Sequence, residues 1–131
     1  MNAQAREQLV ADWIEHHARE LKWSADHVLE RQNLHPEAVD RLHSLVVDEP
    51  EVAWDLILAI VHANRSDDVM GNLAPMLGIL LEHNPDLFIE RLEQLAVSDP
   101  YFKELLAWLI PSEPTSPFWS RVRRSAGDVQ W

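Results

Sequence analysis

Apolar residues recur at three- and four-residue steps along most of the chain, and prolines mark where several of the runs begin. Leu9, Val10, Trp13, Ile14, His17 and Leu21 form one stripe, which predicts a helix from about Ala3 to Leu21. Ser24 reads as the cap of a short helix through about Gln32, with Val28 and Leu29 facing inward. His35-Pro36-Glu37 opens a helix to about Val47 that buries Val39, Leu42, Leu45 and Val46. Glu49-Pro50-Glu51 opens the next, to about Ala63, where Glu51, Asp55, Ala59 and His62 form the single line left for water. A helix apolar on nearly every other side belongs at the centre, with neighbours on both flanks.

Ser66 is the predicted N-cap of a short helix with Asp67 and Asp68 in its first turn, carrying Val69, Met70 and Leu73 until Pro75 interrupts it. Met76 to His83 is nearly all apolar and reads as buried. Asn84-Pro85-Asp86 starts an amphipathic helix to about Val97, with Phe88, Ile89, Leu92, Leu95 and Ala96 inward. Asp99-Pro100-Tyr101 starts one to Leu109 on the same plan, and Ser116-Pro117-Phe118 caps a last short helix that ends near Gly127. Proline suits the first helical position because its missing N–H has no intrahelical partner there. A capping residue before it and a carboxylate after it serve the exposed N–H groups and the positive end of the dipole.

These marks predict an all-α fold: a single domain of six to eight short helices in antiparallel pairs, as a HEAT-like array or an irregular bundle. Residues 1–110 read as an acidic helical domain, and residues 111–131 as a Pro-rich linker with a basic, aromatic C-terminal arm. Trp13, Trp54 and Trp108 fall on apolar faces and are assigned to the core. Trp119 and Trp131 lie in the arm, which either docks on the domain as a strap or anchors another chain.

Charge changes the picture more than size does. Twenty-two acids against eleven bases give a net charge of −11. The arm holds three arginines against two acids from residue 112 onward, net +1, so the preceding residues carry −12. That field opposes phosphate backbones, so neither nucleic acid nor an anionic membrane is expected as a partner. A basic protein partner would be steered toward it. The absence of cysteine and of an apolar leader or spanning segment reads as a cytoplasmic protein.

Candidate chemistry is sparse. Asp12, His16 and Glu20 line up at four-residue steps, and Asp40 and His43 lie one turn apart. The inward-facing Glu-x-x-His pairs of a carboxylate-bridged bundle are missing, so neither a metal nor a cofactor is expected. There is no nucleophile elbow, and the glycines at 71, 78 and 127 cannot form a phosphate loop. No catalytic residues are assigned.

Four segments carry a family resemblance: Glu51-Val52-Ala53-Trp54-Asp55-Leu56-Ile57-Leu58; Leu73-Ala74 through Leu80-Leu81-Glu82-His83; Phe88-Ile89-Glu90-Arg91-Leu92-Glu93; and Ser98-Asp99-Pro100-Tyr101-Phe102-Lys103-Glu104-Leu105-Leu106. From Asp48 to Ile110 the chain resembles a family of small bacterial helical domains of unknown function. That family's central segment reads Ala-Gly-Pro-Leu-Glu-Asp-Leu-Leu; here Gly78 and Ile79 replace the acidic pair. The resemblance implies a helical fold and no activity.

The expected function is a non-catalytic protein-binding module, an immunity- or antitoxin-like protein that neutralises a basic bacterial toxin. Its expected partner-binding residues are Asp48, Glu49, Glu51, Asp55, Asp67 and Asp68. The alternatives are a helical scaffold or regulatory subunit, which would leave homo-oligomers open, and an enzyme of unrecognised type.

Overall fold

The computed structural model describes residues 1–18, 35–127 and 129. It is all-helical, with α1 at Ala3–Ala18, α2 at Pro36–Asp48, α3 at Pro50–Ala63, α4 at Asp67–His83, α5 at Pro85–Ser98, α6 at Pro100–Leu106 and α7 at Pro117–Ser125. The short helix predicted from Ser24 and the end of the first helix lie outside the described residues.

Each of the five prolines begins its helix. The caps are less uniform. Asp99 and Ser116 accept backbone N–H groups of the helix that follows, and so does Ser66 at α4. His35, Glu49 and Asn84 make no such side-chain bond. Asn84 instead turns backward, its Nδ2 donating to the Leu80 carbonyl at 3.0 Å. Glu49 serves both neighbours through its backbone, donating to Leu45 O and accepting from Ala53 N. A one-residue connection leaves a side chain with two helix ends to satisfy, and here the backbone does it.

The core is one continuous cluster, and no polar or charged residue among those described is buried. α3 packs on α1, α2, α4 and α6, with Trp54 stacked on Phe88 at 4.9 Å. Its exposed line is the expected one, Glu51, Asp55, Ala59 and His62. α4 shares the centre, touching α1, α2, α3, α5 and α6.

Two expectations are corrected. Pro75 does not divide α4, which runs unbroken from Asp67 to His83. The proline lies on the solvent side, and so does Gly71 four positions before it, so the missing hydrogen bond falls on the exposed face of α4. Trp108 is not core: it is 38% exposed, leaning over Gly71 from the turn that follows α6. The Pro-rich segment is held by Ser112 Oγ donating to Glu82 at 2.7 Å. Beyond it α7 docks on α5 and α6, burying Trp119 and Val122, and Arg121 forks onto Glu93 of α5. Gly127 closes α7 at φ +89°, a conformation that suits residues without a Cβ.

Candidate functional site

The line of exposed residues on α3 is the edge of a groove. α1 lies alongside, and between the two helices runs an apolar trough of about 560 Å³ lined by Val10, Ala11, Ile14, Leu56, Ala59 and Ala63. Alanines at the small positions keep it open. Arg6, Glu7 and Asp55 form its charged rim.

The six expected acids are not gathered into one patch. Asp48 and Glu49 stand at the start of α3, Asp67 and Asp68 beyond its end. A fourteen-residue helix separates them by about 20 Å. Glu51 and Asp55 lie along the helix between them, and both are engaged within the molecule. Arg91 grips Glu51 through two bonds of 2.6 and 2.8 Å, and Arg6 reaches Asp55 at 3.4 Å. The Arg91 hydrogen bonds hold the Glu51 carboxyl below its ordinary range, against a smaller opposing effect of desolvation. Asp48, Glu49, Asp67 and Asp68 have no side-chain partner among the described residues, although the dipole of α4 favours the last two.

A second polar corner forms where α3 ends against the start of α6. His62 Nε2 meets Asp99 at 2.5 Å, and Tyr101 stands edge-on to the imidazole. The Arg65 guanidinium lies 3.7 Å from the Tyr101 ring centroid and donates to the Val61 and His62 carbonyls, closing the end of α3. Burial pushes the Asp99 carboxyl up, but bonds from His62 and from the Phe102 and Tyr101 amides outweigh it and hold it low. The arrangement caps two helix ends at once. Among the described residues the only hydrogen bond of the His62 ring is to Asp99.

Sequence spacing missed one cluster. Of the companions expected for Asp12, Glu20 lies outside the described residues and His16 accepts the His35 backbone N–H; the Asp12 carboxylate faces the His35 imidazole, with Glu15 and Glu37 also near that ring. Asp40 and His43 are both exposed on α2. His35 read as part of a helix start, and nothing local ties it to a residue twenty-three positions earlier.

Among the described residues no helix is long and apolar enough to cross a membrane. The molecule is thus a small all-α domain whose ionisable groups meet at its surface. The chain belongs to a family of unknown function, DUF6869, whose model matches residues 27–129. No curated protein and no solved structure matches it.

Proposed function

We propose that the domain is a non-catalytic protein-binding module, an immunity- or antitoxin-like protein that captures a basic partner along α3. One observation carries this reading: the apolar trough runs along α3, and beyond the two ends of that helix stand four carboxylates with no side-chain partner among the described residues. A basic amphipathic segment fits such a surface, its apolar face on Val10, Ile14 and Leu56 and its cations toward Asp48, Glu49, Asp67 and Asp68. Asp55, held by Arg6, acts as part of the fixed rim of the trough, and Glu51 is taken up by Arg91 of α5, so neither serves as a capture charge.

The test is co-expression with the polypeptide encoded in the adjacent reading frame. Relief of that polypeptide's toxicity together with a stable complex is the expected result. Absence of both would overturn the reading.

A second reading, a scaffold that associates with itself, is favoured by a different face. Trp108 and Ile110, the latter 94% exposed, stand over Gly71, Pro75, Gly78 and Ile79 of α4. We take Ala74–Leu81 as this chain's version of the family's Ala-Gly-Pro-Leu-Glu-Asp-Leu-Leu segment, so that loss of the acidic pair leaves this face apolar. Light scattering that finds a dimer in wild type and a monomer in Ile110→Glu would favour the scaffold.

A further inference from the structure

Where the start of α2 crosses α1, one imidazole stands among three carboxylates at an unusual spacing. His35 Nε2 lies 3.8 Å from Asp12 and 3.5 Å from Glu15, and its Nδ1 lies 3.6 Å from Glu37. None of these is a normal hydrogen-bond distance, which for such a pair falls near 2.7–3.2 Å. Asp12 and Glu15 face Nε2 and Glu37 faces Nδ1, so a shared ion would take one ring nitrogen with the carboxylates turned toward it, at the roughly 3–4 Å between atoms that each lie about 2.1 Å from a metal. One ligand atom each from Asp12, His35 and Glu37 lies within 4.8 Å of the other two, so small side-chain rotations close the set.

The frame around it is already ordered. The His35 backbone N–H donates to His16 Nδ1 at 3.1 Å, and the proline that follows restricts the backbone of His35 itself. Gln8 Nε2 holds the Asp12 carboxylate at 2.8 Å from one turn earlier on α1. Asp12 and His35 are half-buried, which weakens competition from water.

We propose that Asp12, His35 and Glu37 bind one divalent first-row metal ion, with Glu15 within reach as a fourth group. One imidazole with carboxylates selects an ion of the zinc, cobalt or manganese type over magnesium, which prefers an all-oxygen shell. The ion joins the middle of α1 to the first turn of α2 and so fixes one wall of the α1–α3 trough. This assignment does not depend on what the trough binds.

The experiment is calorimetric titration of the chelator-stripped full chain with zinc sulfate, alongside thermal unfolding with and without zinc. The expected result is saturable one-to-one binding that raises Tm and weakens as pH falls, because the ligands bind deprotonated. His35→Ala and Asp12→Asn should each weaken it at least about tenfold, the usual loss when a ligand or its support is removed. His43→Ala, on the exposed face of α2, should leave it unchanged. Circular dichroism confirms that each variant is folded; Glu37→Gln replaces either that is not. No one-to-one binding tighter than about 100 µM, or equal affinity in wild type and the two ligand variants, would overturn the assignment.

Discussion

Asp99 joins two helix ends through one carboxylate. It caps α6 by accepting from the Tyr101 and Phe102 amides, and it holds His62 at the end of α3. Asp99→Ala should lower stability at neutral pH by about 1–2 kcal/mol, the usual cost of losing a cap, while Asp99→Asn keeps an acceptor and loses less. Because the folded carboxyl titrates below its unfolded value of about 3.9, this contribution is fully present above that pH. It is lost as pH falls through the lower folded value, so the gap between wild type and Asp99→Ala in urea unfolding should narrow as pH drops below about 3.9; a gap that does not narrow would contradict the assignment. Trp13 poses the opposite case. Its indole is 1% exposed and its N–H has no acceptor among the described residues. Trp13→Phe removes an unsatisfied donor and opens a small cavity, two effects that oppose each other. The variant should stay within about 1 kcal/mol of wild type, and a loss above about 3 kcal/mol would reveal an acceptor. Residue identity was a fair guide where chemistry is local, as with Ser66, Asp99 and Ser116. It failed where a partner comes from elsewhere, as in the Arg91 grip on Glu51 and the approach of His35 to Asp12, and at Asn84, which turns back to the Leu80 carbonyl four residues earlier.

At the scale of elements, five prolines and the apolar periodicity between them were enough to locate helix starts, because fixed φ and a missing N–H act on the chain locally. α3 was legible down to its exposed line, since a helix with one polar edge has one way to sit in a core. α4 was not. Pro75 argues locally for a break, yet Leu73, Ala74, Leu77, Leu80 and Leu81 are buried on both sides of it, and that packing holds the helix continuous. The proline therefore stays in α4 at a local cost. Pro75→Ala restores the missing N–H near Gly71 and should raise stability by about 1–3 kcal/mol in urea unfolding. A lower midpoint would show that the ring is needed against Trp108 and Ile110. Trp108 itself escaped its sequence assignment because α6 stops at Leu106, so the helical face on which it was placed does not extend that far.

For the whole molecule, an acidic surface around an apolar core was evident from composition, but its division into occupied and unoccupied carboxylates required the fold. Glu51 and Asp55 were among the six expected contact residues, on the polar edge of α3; Arg91 and Arg6 already engage them. Asp48 and Glu49 remain for capture, at the α2–α3 corner beside exposed Val47. Charge of this kind acts mainly on association rate, over one to three orders of magnitude, and is screened by salt. Reversal of these two positions should leave folding intact, because neither makes a side-chain bond among the described residues. The decisive measurement is stopped-flow association with the product of the adjacent reading frame, at about 50 mM and 500 mM salt. Capture by the wild type should slow at least about tenfold at the higher salt, and Asp48→Lys with Glu49→Lys should reproduce most of that loss at the lower one. An association rate indifferent to both salt and charge reversal would contradict capture by these carboxylates.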